Sequence, residues 1–107
     1  MPYGYNDQKR ISPRKARALM HTNPAVICVD VRTKQEYDTG HIPGAILLPD
    51  SSVKTQAPYV LPDKNAIIIV YCKGGSRSHT AACDLITMGY TNVYNLGGID
   101  SWPYERE

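Results

Sequence analysis

YCKGGSRSHTAA, residues 71 to 82, sets a single cysteine between the apolar run Ala66-Ile67-Ile68-Ile69-Val70 and a segment holding two glycines, two serines, a lysine and an arginine. The run before Cys72 is apolar throughout and rich in isoleucine, the pattern of a strand covered on both faces. Beyond the glycines, Ala81, Leu85 and Met88 recur at i, i+4 and i+7, with Ala82 and Ile86 beside them. That spacing marks the buried face of a helix, which starts near Ser78 and ends at Gly89. A buried strand turning through glycines into a helix is a unit of α/β folds, and the rest of the chain is read outward from it.

Upstream, AVICVDV (25–31) repeats the Val/Ile-rich pattern of a covered strand. TKQEYDTG (33–40) is a short helix closed by Gly40, and HIPGAILLP (41–49) turns through Pro43-Gly44 into a strand over 45–48. Ser12 as N-cap and Pro13 at the first helical position predict a helix running to about Met20. Residues 50–65 read as a mostly polar connection with one helical turn around Ala57 to Leu61. Downstream, NVYNL (92–96) is another strand, and Gly97-Gly98 opens a last turn or helix carrying Trp102. Strands alternating with helices predict an α/β fold, a mostly parallel sheet flanked by helices on both faces. The expected organisation is a loose N-terminal segment over 1–10 and one domain over 11–107. In such sheets ligands bind beyond the carboxyl ends of the strands, where Cys72 falls.

Composition narrows the classes of function. The 107 residues are 42% hydrophobic and 21% charged, which suits one globular domain rather than a disordered chain. Twelve basic against ten acidic residues leave a formal net charge of +2, too balanced for a nucleic-acid or membrane-surface binder working by bulk attraction. An anionic ligand must therefore be held locally. Phenylalanine is absent while tyrosine occurs eight times, so Ile, Val and Leu must carry the core. Three cysteines, an odd count, argue against a disulfide framework and for a reducing compartment, the cytoplasm. No CxxC pair and no His or carboxylate cluster stands at metal-ligand spacing, so neither metal nor cofactor is expected. MPYGYNDQKR lacks the apolar centre of a secretion signal, and the longest apolar run, Ala66 to Cys72, is far below the roughly 20 residues of a membrane span.

The opening stretch then reads as chemistry. If residues 73–77 wrap around the Cys72 sulfur, with Gly74 and Gly75 allowing the curvature, their N–H groups converge on it as an anion nest. The N-terminus of the following helix points at the same place, Arg77 adds a permanent charge and Lys73 a second. Such surroundings favour thiolate over thiol and so make Cys72 a nucleophile. Lys73, Gly74, Gly75, Ser76, Arg77 and Ser78 are the expected anion-binding residues around it. Burial of a small apolar side chain would explain the cysteine alone, but neither the paired glycines nor the basic residues.

Three blocks in order, DVRTKQEYDTGHIPGA (30–45), the Cys72 loop with its Cys-x-x-Gly-x-Arg pattern, and NLGGIDSW (95–102), resemble a single rhodanese domain of the sulfurtransferase family from about Ile11 to Trp102. One departure is Ile46-Leu47-Leu48-Pro49, where many relatives carry Asn before the apolar-Pro pair. The resemblance implies a five-stranded parallel sheet and a cysteine that carries sulfur as a persulfide. Its implied reaction moves sulfur from a small donor anion such as thiosulfate to an acceptor: cyanide, a small thiol or a protein thiol. It also implies that the block holding Asp30, Arg32 and Glu36 is chiefly structural; those three read as a hydrogen-bonded brace, with a catalytic role as the alternative, and His41 reads as a turn anchor rather than a base. Cys28 is read as core. Cys83 is read as buried too, with a resolving thiol as the alternative, and His79 as a solvated first-turn residue or, alternatively, a substrate contact. Trp102 is read as packing the terminal segment onto the core.

Two other functions compete. Phosphatases and arsenate reductases with related loops have one more residue between Cys and Arg. Here four intervene, and Tyr71 stands where tyrosine phosphatases carry His. A non-catalytic interaction module is the third reading, disfavoured by the intact Cys72 and Arg77.

Overall fold

The computed structural model describes residues 8–107. In chain order these form β1 (Lys9–Arg10), α1 (Pro13–Thr22), β2 (Ile27–Asp30), α2 (Lys34–Asp38), β3 (Ile46–Leu47), a 3-10 turn (Asp50–Ser52), α3 (Val53–Val60), β4 (Ile67–Cys72), α4 (Ser76–Thr87), β5 (Asn92–Gly98) and a second 3-10 turn (Ile99–Ser101). The strands make one five-stranded sheet in the order β1-β5-β4-β2-β3, every pair parallel. An α/β fold with a parallel sheet is thus what the alternating pattern implied.

Strand alternation sorts the core into two layers. Ile68, Val70 and Cys72 of β4 join Val29 and Val31 under Ala81, Ala82 and Leu85 of α4 and Val53 and Ala57 of α3. Ile69 and Tyr71 face the other way, with Cys28, Ala16 of α1 and Trp102. The sheet is therefore covered on both faces, and β4 at its centre is almost wholly buried. The starts of α1 and α2 are written locally. The Ser12 hydroxyl accepts from Lys15 N ahead of Pro13, and Thr33 with Glu36 closes a capping box at α2.

Four local readings need correction. The segment 1–10 was expected to be loose, yet Lys9 and Arg10 pair with Tyr94 and Asn95 as the edge strand, and the Gln8 side chain accepts from Asn95 Nδ2 at 2.9 Å. Two exposed residues carry no alternation, so the sequence holds no strand signal there; the rest of the expected loose segment, residues 1–7, lies outside the described residues. The polar connection over 50–65 contains α3, two turns beginning at Val53, because Val53 and Ala57 sit one turn apart and are both fully buried. Pro58 disguises that helix, though it lies inside it on the exposed side. The helix after the glycine-rich loop begins at Ser76, not near Ser78. Gly97 and Gly98 extend β5 rather than opening the terminal turn.

At the carboxyl end of β2 a buried carboxylate organises its neighbours. Asp30, fully buried, accepts from Arg32 Nε at 3.0 and 3.1 Å and from Arg32 Nη2 at 2.7 Å, and also takes the Arg32 backbone N–H at 2.9 Å. Arg32 Nη2 also donates to the Gly40 carbonyl at 2.7 Å. Tyr71 donates its hydroxyl proton to Asp30 at 2.8 Å and accepts from Ile42 N at 3.1 Å. Burial pushes the Tyr71 phenol up, so it stays a neutral donor. Asp30→Asn should cost about 3–5 kcal/mol of unfolding free energy, because it leaves the Arg32 charge uncompensated. Tyr71→Phe should cost about 1–3 kcal/mol for the unpaired groups it leaves. Urea denaturation of both variants measures the difference.

Candidate active site

Cys72 ends β4 with 1% of its surface exposed. Directly after it the chain turns through Lys73 and Gly74 to Gly75, whose φ of 118° lies in the left-handed region where glycine is unstrained. That turn aims the Gly75 N–H back at the Cys72 sulfur, 3.0 Å away. Ser78, in the first turn of α4, has its hydroxyl 3.6 Å from the same sulfur. The Ser78 proton is committed to the Gly75 carbonyl at 3.0 Å, so a Cys72 thiol donates to Ser78; rotation of the hydroxyl lets it donate to a thiolate instead. The expected ring of amides is narrower than sequence reasoning suggested. Among the described residues, the only loop N–H donating to the sulfur is that of Gly75. Those of Ser76, Arg77 and Ser78 open α4, where no side chain caps them.

A neighbouring strand makes the loop possible. Cys72 lies opposite Gly98 on β5, and the β4–β5 register slips by one residue between Val70 and Tyr71, the mark of a bulge. Gly97, at φ 92°, sits in that bulge and donates its N–H to Asn95 Oδ1 at 2.9 Å. A Cβ on Gly98 would collide with the Lys73 carbonyl oxygen and stand 2.8 Å from Gly74 Cα. Gly98 and Asn95 are thus site residues that the sequence reading missed. A glycine at the end of a strand pattern is a signal of close backbone approach.

The two expected charges do not both face the sulfur. Lys73 is exposed and pairs with Asp100 at 3.1 Å. Arg77 donates from Nη1 and Nη2 to the two oxygens of Glu36 at 2.7 and 3.0 Å, both side chains being less than a third exposed. Glu36 was expected to brace Asp30 and Arg32; instead those two pair with each other while Glu36, on α2, ties that helix to α4. The Arg77 guanidinium, with help from Thr33, holds the Glu36 carboxyl down at about 2 against its own partial burial. His41 Nδ1 lies 3.1 Å from the Tyr37 carbonyl, its ring stacks on Tyr37 at 3.8 Å, and its backbone exchanges hydrogen bonds with Glu107, which suits a turn anchor.

The remaining candidates lie away from the sulfur. Cys28 is buried in the layer beneath α1, where burial and then the Asp30 charge push its thiol up to about 12. Cys83 is half-buried farther along α4, where its sulfur accepts from Gln8 Nε2 at 3.0 Å and burial raises its pKa. Trp102 is buried, and its Nε1–H donates to the Glu105 carbonyl at 3.0 Å. An open crevice of about 710 Å³ borders the loop, with Gly74, Gly75, Gly97 and Gly98 on one side and Arg10 to Pro13 on the other. His79 also lines it.

A cysteine at the end of a central parallel strand, wrapped by a glycine turn that leads into a helix, matches more than a general α/β arrangement. The profile of the rhodanese-like domain matches residues 12–105. The chain belongs to that family. It is 42% identical over 71 residues to the thiosulfate sulfurtransferase PspE of Escherichia coli, covering 66% of this chain and 68% of that one. It is 41% identical over 96 residues to the thiosulfate sulfurtransferase GlpE of Pseudomonas entomophila, covering 88% and 84%. A solved E. coli rhodanese with anions superposes with a TM-score of 0.73 at 37% identity, over 78% of this chain and 98% of that one. The family is not uniform. The tRNA uridine(34) hydroxylase of Photorhabdus laumondii is 35% identical over 83 residues, and the match spans 74% of this chain but only 24% of that enzyme.

Two outcomes follow for this rhodanese-like domain. Gly98→Ala should displace the Lys73–Gly74 turn and slow alkylation of Cys72 by iodoacetamide by about 100-fold, since a misplacement of about 1 Å has that scale of effect; circular dichroism should still report a folded domain. Glu36, with its folded pKa lowered, binds fewer protons than in the unfolded chain, so its pair with Arg77 stabilises fully above about pH 4.5. That contribution fades as pH falls through about 2. Glu36→Gln should therefore flatten the acid side of the stability profile between those values, as read by urea unfolding at a series of pH values.

Proposed function

We propose that this rhodanese-like domain is a sulfurtransferase that takes sulfane sulfur from a small donor anion such as thiosulfate, carries it as a persulfide on Cys72, and gives it to a thiophilic acceptor. The observation that carries this reading is the Cys72 sulfur, seated at the carboxyl end of β4 with the Gly75 N–H donating to it at 3.0 Å. It also lies beside the uncapped N-terminus of α4, a 12-residue helix with no acidic residue in its first turn. The thiosulfate sulfurtransferases among its relatives support the same chemistry.

Transfer takes two displacements. Thiolate Cys72 attacks the outer sulfur of thiosulfate; the new S–S bond forms as the old one breaks, and its electron pair leaves with sulfite. Sulfite departs as a stable anion, so no general acid is required. An acceptor nucleophile then attacks the outer persulfide sulfur, and the Cys72–S bond pair returns to Cys72 as thiolate. The Gly75 N–H and the Ser78 hydroxyl stabilise the negative sulfur at both stages, while the first-turn amides of Ser76, Arg77 and Ser78 receive the outer sulfur and the donor oxygens. Lys73 steadies the incoming dianion from the rim. Three free thiols suit a reducing compartment, and the cytoplasm is the one proposed.

A phosphatase reading asks more of Arg77 than its geometry offers, because both of its terminal nitrogens already serve Glu36. Intact mass after incubation with thiosulfate tests the proposal. The chain should gain one sulfur atom, lose it on adding cyanide, and gain none in Cys72→Ser, whereas Cys28→Ala and Cys83→Ala should still be loaded. A folded Cys83→Ala variant as inert as Cys72→Ser would refute the one-cysteine mechanism.

A further inference from the structure

Arg77 stands close to the nucleophile without serving it. It lies in the first turn of α4, one residue before Ser78, whose hydroxyl is 3.6 Å from the Cys72 sulfur. A charge on Cys72 also acts on its guanidinium. Yet the end of that guanidinium is given to α2, with Nη1 2.7 Å and Nη2 3.0 Å from the two oxygens of Glu36. These two nitrogens form the planar fork that matches carboxylate and phosphate alike. An oxyanion at the loop must displace Glu36 to be gripped by it.

Glu36 is fixed independently of Arg77. Its Oε1 accepts from the Thr33 backbone N–H at 3.1 Å and from the Thr33 hydroxyl at 3.2 Å, within the capping box that starts α2. A carboxylate anchored in this way loses little freedom on taking the guanidinium, which favours it over a diffusing anion. Held down to about 2, chiefly by its hydrogen bond from Arg77, the carboxyl is ionised throughout the neutral range. Asp50, in the 3-10 turn before α3, is a second carboxylate acting on Arg77, with a weaker effect. Arg77 thus adds no net positive charge to the surroundings of the loop.

Stability alone does not account for a carboxylate at this position. The two side chains are 30% and 28% exposed, and ion pairs with solvent access contribute little. A glutamine at position 36 would close the capping box equally well. What glutamate adds over glutamine is its charge on Arg77.

We infer that Glu36 sets anion selectivity at the Cys72 loop: it holds the Arg77 guanidinium on α2 and thereby keeps tetrahedral oxyanions such as phosphate from competing with the sulfur donor. The inference rests on the sulfurtransferase reading and adds the residue that protects its donor step. Because Glu36 acts through Arg77, it is a positioning residue. The donor loses less by this arrangement than phosphate does, since it reaches Cys72 through its outer sulfur and forms a covalent bond there.

Phosphate protection of Cys72 against iodoacetamide, read by mass on the peptide that carries Cys72, tests the assignment. Glu36→Gln keeps the cap and drops the charge; its half-protecting phosphate concentration should fall about tenfold below that of the wild-type chain, the scale of one charge-assisted hydrogen bond. Adding Arg77→Ala to that variant should restore the wild-type value, because the gain runs through Arg77. During turnover, millimolar phosphate should raise the apparent KM for thiosulfate in Glu36→Gln without changing kcat, and should do neither in the wild-type chain. Equal protection in folded Glu36→Gln and wild type would overturn the assignment, as would a gain that survives Arg77→Ala. Glu36→Ala removes the charge without introducing an amide and should show the same gain, so either folded variant decides. Protection of the wild-type chain by micromolar phosphate would overturn the assignment without any variant. If thiosulfate loads no sulfur onto Cys72, the sulfurtransferase reading fails on that result, while phosphate protection still decides what Glu36 does.

Discussion

The buried Asp30 carboxylate is the interaction on which the sheet edge depends. It sits at the end of β2, fully buried, and is matched by the Arg32 guanidinium and the Tyr71 hydroxyl. Through Arg32 it reaches the Gly40 carbonyl, and through Tyr71 the Ile42 N–H, so one carboxylate joins β2, β4 and the turn after α2. A buried pair is expensive to form and more expensive to break by halves, which makes this arrangement specific even if its net stabilisation is small. Tyr71 immediately precedes Cys72, so the same bonds that hold the turn at Ile42 hold the strand that delivers the sulfur.

From there the loop is built by exclusion of side chains. Gly98 stands opposite Cys72 and leaves the space into which Lys73 and Gly74 fold, and Gly75 supplies the left-handed turn that aims an N–H at sulfur. The bulge at Gly97, held by Asn95, sets the register that brings Gly98 opposite Cys72. Gly97 and Gly98 on β5 and Gly75 in the loop thus do jointly what no single side chain does: they bring backbone to within hydrogen-bonding distance of the Cys72 sulfur.

Charge is distributed with equal economy. Arg77, next in line to the sulfur, is neutralised by Glu36 and serves to tie α2 to α4, which leaves helix amides and Gly75 as the immediate environment of Cys72. An amide environment suits a single sulfur atom better than a larger oxyanion.

The sequence by itself determined the alternation of strands and helices around the central strand and the burial of β4, and it singled out Cys72. Periodicity in Ile67 to Val70 and in Ala81, Leu85 and Met88 is local, and the glycine pair after Cys72 declares a turn without reference to any partner. The resemblance to rhodanese domains rested on equally local blocks, and the family match bears it out. What the tertiary structure decided involves residues far apart in the chain. Glu36 meets Arg77 across 41 positions, Gly98 makes room for Lys73, and Arg10 becomes a strand residue only because β5 offers it an edge. Two exposed residues carry no periodicity, and a carboxylate three residues after Thr33 reads equally well as a cap or as a partner for any nearby arginine. Only packing selects among such options, because a hydrogen bond needs distance and direction, and sequence spacing specifies neither beyond a turn or two of helix.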